Sequence, residues 1–198
     1  SINRQNTYGL ISKLNYDVND EIEVQFGIDW RTAGIEHARE VRDLLGGDYY
    51  VDYADDNFAD GKKVGLGDII AYHNNTTVDW FGAFVQGQYD TEKINLYGMG
   101  GISTIGYTYQ DHFSVEKEVV EADNITTFQV KGGGRYNLDD RLSAFANVGY
   151  VQKPPILDNV IDYDGNVSTN PDNEKFTSLE IGGEYNSNLV AIKGSYFN

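Results

Sequence analysis

The stretch Ile22-Glu23-Val24-Gln25-Phe26-Gly27-Ile28-Asp29-Trp30-Arg31 decides the fold. Its even positions are all large and apolar, while its odd positions carry Glu, Gln, Gly, Asp and Arg. A period of two sends alternate side chains to opposite faces of a β-strand, whereas a helix repeats near 3.6. One face of this strand suits an apolar medium and the other suits water. The preceding run, Tyr8, Leu10, Ser12, Leu14 and Tyr16, alternates in the same way, and the polar Asp17-Val18-Asn19-Asp20 between the two reads as the turn of a hairpin.

The unit recurs three times. Strands Thr77 to Tyr89 and Lys93 to Tyr109 are joined at Asp90-Thr91-Glu92; Thr126 to Asn137 and Arg141 to Gln152 at Leu138-Asp139-Asp140; Phe176 to Tyr185 and Leu189 to Phe197 at Asn186-Ser187-Asn188. The expected architecture is all-β, about eight antiparallel strands in four hairpins, with long connections over residues 32–76, 110–124 and 153–175. Strands of soluble domains run about 5 to 6 residues, whereas crossing a bilayer at a tilt takes roughly 9 to 11. The runs here are on the longer scale. Tyr8, Tyr16, Trp30, Trp80, Tyr89, Tyr107, Tyr109, Tyr136 and Tyr150 sit toward strand ends, where interfacial girdles are expected. These features predict a segment of a transmembrane β-barrel, with short turns on the periplasmic side and long loops outside.

Composition narrows the chemistry. The 198 residues contain no Cys, and His37, His73 and His112 are widely separated, so neither a disulfide framework nor a soft-ligand metal motif is present in the sequence. A net charge of −16 has the wrong sign for a nucleic-acid backbone. With 13% aromatic and 40% hydrophobic residues the chain is too rich to remain disordered. Of the 31 acids, 19 fall in the three long connections, against 7 of the 15 bases, so the loops hold most of the negative charge.

The order of turns also bears on completeness. Bacterial outer-membrane barrels place short turns in the periplasm, and generally both termini there as well. Here the first connection is short, so Ser1 starts on the outer side, and eight strands return the chain to that side. Residues 1–198 are therefore expected to be part of one outer-membrane barrel domain, with a plug domain and further strands lying outside them. A closed eight-stranded barrel is the alternative fold.

The run Tyr136-Asn137-Leu138-Asp139-Asp140-Arg141-Leu142-Ser143-Ala144-Phe145-Ala146-Asn147-Val148-Gly149-Tyr150 is followed by Lys153-Pro154-Pro155. It leads on to Asn170-Pro171-Asp172-Asn173-Glu174-Lys175-Phe176-Thr177-Ser178-Leu179-Glu180-Ile181-Gly182-Gly183-Glu184-Tyr185. Together with Trp80-Phe81-Gly82-Ala83-Phe84-Val85-Gln86-Gly87-Gln88-Tyr89, these segments resemble the TonB-dependent outer-membrane receptors of Bacteroidetes-type bacteria. The resemblance implies a 22-stranded barrel occluded by an N-terminal plug, and energised import of siderophores, cobalamin or glycans. It implies as partners outer-membrane lipid, the TonB complex through an N-terminal region not among these residues, and a surface lipoprotein. The rival readings are a small structural or adhesive outer-membrane barrel, and a secreted β-sandwich that binds glycans through its loops.

No residue pattern supports catalysis: G-x-S-x-G, a Walker loop and a plausible Ser-His-Asp set are all missing from the sequence. Two candidate binding groups stand out. Tyr49, Tyr50 and Tyr53 lie beside Asp55 and Asp56, with Asp52 and Asp60 nearby, and tyrosine faces among carboxylates suit sugar stacking or cation capture; a solvated loop gives the same composition. Asp158, Asp162, Asp164 and Asn166 place hard oxygen donors around Gly165 at spacings that suit Ca²⁺, and an ordinary Asp-Gly turn gives the same pattern. Glu21, Glu23, Asp29, Arg31, Lys131, Arg135, Glu180 and Glu184 share the polar faces and need water or partners.

Overall fold

The computed structural model describes residues 1–116 and 118–198. Its strands are β1 (Ile2–Asp17), β2 (Ile22–Glu40), β3 (Tyr50–Asp52), β4 (Lys62–Val64), β5 (Ile69–Asp90), β6 (Ile94–Asp111), β7 (Val119–Glu121), β8 (Ile125–Asn137), β9 (Leu142–Lys153), β10 (Glu174–Asn186) and β11 (Ala191–Phe197). The long strands form one antiparallel sheet in the order β1-β2-β5-β6-β8-β9-β10-β11, with β7 added to β6 and β3–β4 forming a separate hairpin. All eight strands read from the alternation are present. The short β3, β4 and β7 are additions.

Register carries the alternation across the whole sheet. Phe26 faces Val85, Val85 faces Gly100, Gly100 faces Val130 and Val130 faces Tyr150. In the same phase Leu10 lies beside Trp30, and Trp30 beside Phe81. One continuous face is therefore apolar. Protein leaves it open: Leu14 is 65% exposed, Phe26 49%, Val130 55% and Ile181 55%. A sandwich would cover this face with a second sheet, and among the described residues none lies on it, which removes the sandwich alternative. β1 and β11 are the two edges of the sheet and do not pair with each other, so the closed eight-stranded barrel is not formed either.

Aromatic residues bracket the apolar face. Tyr16 and Tyr8, Tyr89 and Phe81, and Tyr136 and Phe128 each stand eight residues apart along one strand. At ~3.3 Å per residue and a tilt of about 40°, that separation is roughly 20 Å along a membrane normal, close to an outer-membrane apolar band. Trp80, Tyr107 and Tyr109 depart from the expected girdle. They lie on the opposite face, in a cluster with Ile105, Ala122, Val160 and Ile161, because the loop after β9 folds back over that part of the wall.

The four short turns are closed by one device. The side chains of Asn19, Thr91, Asp139 and Ser187 accept the backbone N–H three residues on, from Ile22, Ile94, Leu142 and Val190, at 2.8–3.1 Å. Asn, Asp, Ser and Thr favour turns because they replace a missing backbone acceptor in this manner. Asp139 also accepts from Arg141 N–H, and these backbone hydrogen bonds hold its carboxyl below the ordinary carboxylate range.

At the other end the expected long connection 32–76 shrinks to residues 41–68, since β2 runs on to Glu40 and β5 begins at Ile69. These extensions stand beyond the apolar band, and no continued hydrophobic alternation marks them in the sequence. Their ladder contains a bulge: the pairing steps from Ala38–His73 to Arg39–Ile70, leaving Ala71 and Tyr72 as extra residues on β5. Ala71 takes φ 67°, and its N–H donates to the buried carboxylate of Asp52 at 3.1 Å.

Candidate functional site

The face opposite the apolar one is polar and internally paired. Arg31 donates to Asp29 through two nitrogens at 2.9 and 2.6 Å, and Arg135 pairs with Glu184 at 3.4 Å. Tyr97 donates to Asn147, and Asn147 donates to Glu180 at 2.9 Å. Of the eight charged residues read as inward-facing, Asp29 and Arg31 pair along one strand, Arg135 and Glu184 pair across β9, and Glu180 is held by Asn147, in a setting that water also reaches. Two aromatic rings lie against glycines on this wall. A Cβ at Gly27 would overlap Phe84, and one at Gly182 would overlap Phe145.

The first candidate binding group divides by burial. Tyr49, Tyr50 and Tyr53 are 52%, 51% and 71% exposed on and beside the β3–β4 hairpin. Asp55 is buried at 5% exposure, lies 3.7 Å from Lys62, and accepts from Asn57 N–H and Nδ2. Asp56 is exposed, and its N–H donates to Phe113 O at 3.0 Å. The carboxylate of Asp55 thus braces the loop, whereas the tyrosines remain open to a ligand. Lys63 already covers the ring of Tyr49 at 4.5 Å.

In the second group Asp162 accepts N–H from Asp164 and Asn166 at 3.0 and 2.8 Å, and also the Asn166 side-chain amide. The Asn166 amide and these N–H groups hold the Asp162 carboxyl below its usual range. Gly165 supplies the left-handed corner with φ 80°. Asp158 sits apart in a short 3-10 turn, Leu157–Asn159. Among the described residues no three His, Cys, Asp or Glu side chains are grouped to hold a metal. The D-x-D-G-N pattern is accounted for by a turn.

This loop is docked against the inner wall. Val160 and Ile161 are 1% and 3% exposed, and the Tyr107 hydroxyl donates to Pro155 O at 2.9 Å. Docking brings the loop's Tyr163 to a cavity of about 580 Å³ at the loop end of the sheet. Its floor is a single cross-strand row. Asn3 faces His37, His37 faces Asn74 and Asn74 faces Asp111, so four polar side chains lie in line across β1, β2, β5 and β6. Tyr72, one of the two extra residues of the bulge, lines the same cavity. None of the row was identified from sequence, because register above the apolar band depends on pairing and not on hydrophobic phase.

No curated protein sequence matches the chain. Among solved structures it is similar to the copper transporter OprC, with 14% identity and a TM-score of 0.65. It is also similar to the FrpB iron transporter from Neisseria meningitidis at 19% identity and 0.60, and to the ferric-catecholate import receptor Fiu from E. coli at 12% and 0.60. Each alignment covers 98% of this chain but only 30%, 28% and 31% of the respective structure, so the chain spans about three tenths of their length. These likenesses establish the fold. The family "TonB dependent receptor-like, beta-barrel" matches residues 1–198 in full. The chain therefore belongs to the TonB-dependent receptor β-barrel family of the bacterial outer membrane.

Proposed function

We propose that this chain is the wall of a plugged receptor that imports a nutrient of the siderophore or glycan class across the outer membrane, driven through TonB. The observation that carries the reading is the two-faced open sheet: one face apolar and unpacked, the other charged and paired, with both edge strands available to further strands. Strands β1 and β11 would continue into the rest of one barrel domain, and the polar inner wall would receive the plug. TonB would act through an N-terminal region beyond these residues, and a surface lipoprotein would be a further partner at the loop end. The exposed Tyr49, Tyr50 and Tyr53 are offered to ligand at the mouth.

The test is uptake by cells carrying the full-length receptor as their sole route for a supplied nutrient. Saturable accumulation that collapses on adding a protonophore, or on deleting TonB, is expected. Accumulation that persists without the proton-motive force would overturn the reading in favour of a passive barrel, and no accumulation of any supplied nutrient would favour a structural or adhesive one.

A further inference from the structure

The structure points to a saccharide site at the loop end of the inner wall, and we infer that its ligand is a neutral, polyhydroxylated chain and not an anionic ferric chelate. The inference rests on the uptake reading and narrows its ligand. The row Asn3–His37–Asn74–Asp111 supplies amide, imidazole and carboxylate groups in line. At a strand spacing of ~4.8 Å it extends over about 14 Å. Amides and an imidazole that donate and accept, with a carboxylate that accepts, repeated at such intervals, match hydroxyls repeated along an extended ligand.

Two rings complete the chemistry. The bulge in β5 adds Tyr72 to the cavity lining, and Tyr163 reaches the same cavity from the docked loop. Flat aromatic faces beside Asp and Asn take the C–H faces of sugar rings while the polar groups take the hydroxyls. The site is pre-formed. Asp111 accepts the Phe113 N–H at 2.8 Å, which orients its carboxylate, and Tyr163 O accepts from Tyr109 at 3.4 Å. A ligand meeting such a site loses little affinity to ordering it.

Charge argues against the anionic alternative. No Lys or Arg lines the cavity among the described residues. Arg39 lies close by, its guanidinium stacked 5.3 Å from the Tyr72 ring centroid. Asp111 lines the cavity itself, and Asp162 and Asp164 are close enough to act on Tyr109. A ferric tricatecholate would bring further negative charge into this field, where like charges repel.

The experiment uses the purified full-length receptor in detergent, titrated by calorimetry with neutral malto-, cello-, xylo- and manno-oligosaccharides of three to six units and with a ferric tricatecholate. At least one neutral oligosaccharide should bind, with affinity unchanged between low and high salt. Asp111→Asn should weaken it about tenfold, Tyr72→Ala and Tyr163→Ala by more, and Tyr163→Phe little; Asp140→Asn, in a short turn at the opposite end of the sheet, should leave it intact. Asp111→Asn is isosteric and Tyr163→Phe keeps the ring, so loss of fold is separable from loss of contact. Absence of oligosaccharide binding, binding that ignores these substitutions, or a ferric tricatecholate that binds and is weakened by them would each overturn the inference. Binding needs neither TonB nor a proton-motive force. A receptor that binds sugar without importing it would contradict the uptake reading alone, and one that imports only the ferric chelate would contradict the saccharide site alone.

Discussion

Replacing Phe26 by Arg should be among the most damaging changes in the chain, and replacing its neighbour Gln25 by Arg should be nearly silent. Phe26 lies midway on the apolar face between Ile22, which pairs with Tyr89, and Trp30, which pairs with Phe81, and protein leaves 49% of it uncovered. For a side chain of roughly 200 Å², about 100 Å² would be covered by lipid, contributing about 2.5 kcal/mol at ~25 cal/mol per Å². An Arg near the bilayer midplane costs a further ~2–4 kcal/mol, so the total is about 5 kcal/mol. Gln25 points to the wet inner wall, where its Nε2 donates to Asn15 Oδ1 at 2.7 Å and an Arg can donate in its place. Its replacement should stay within about 1 kcal/mol. Urea titration of the full-length receptor refolded into lipid vesicles, followed by tryptophan fluorescence, reads both values under one condition. Equal destabilisation by the two substitutions, or a larger effect at Gln25, would refute the assignment of faces.

Other consequences follow from particular contacts. Gly27→Val should destabilise the barrel by about 1–3 kcal/mol, because the added side chain displaces the Phe84 ring; Gly27→Val combined with Phe84→Ala should recover part of that loss in the same titration. Tyr107→Phe removes the hydroxyl that holds Pro155 O, leaving a buried carbonyl short of a donor, and should cost about 1–2 kcal/mol locally, seen as faster amide exchange across residues 155–168. The Asp162 carboxyl is held below its ordinary value by Asn166 and neighbouring N–H groups, so its contribution is present above the unfolded carboxylate range and is lost as pH falls through the lowered value. Amide protection at Asp164 and Asn166, measured against the intrinsic exchange rate at each pH, should therefore fall under acid conditions below about pH 4. Asp162→Ala should lack that protection at every pH.

The strands inside the apolar band were legible because two solvents mark them: lipid on one side and water on the other impose a period of two on residues such as Ile22 to Arg31. The turns were legible because Asn19, Thr91, Asp139 and Ser187 do chemistry that only a few residue types can do. Beyond the band that contrast disappears. Thr32 to Glu40 lies beyond the apolar band, so its strand character comes from pairing with β1 and β5 and its sequence carries no hydrophobic phase to read. The same loss of contrast hid the polar row, whose members are more than thirty residues apart in sequence and meet only through register. Trp80, Tyr107 and Tyr109 were assigned to the girdle from position alone, and a returning loop placed them in a core. Asp55 and Asp162 belonged to binding-like patterns, yet their carboxylates are engaged by neighbouring backbone and side-chain donors.

The central claim is that alternate residues of these strands face lipid and water in one continuous phase. Spin labels placed singly on introduced cysteines from Ile22 to Arg31, in the full-length receptor in lipid vesicles, measure it through collision with oxygen and with a water-soluble nickel complex. High oxygen and low nickel accessibility at Ile22, Val24, Phe26, Ile28 and Trp30, with the reverse at Glu23, Gln25, Asp29 and Arg31, is the predicted result. Nickel accessibility at every position, with no period of two, would contradict it.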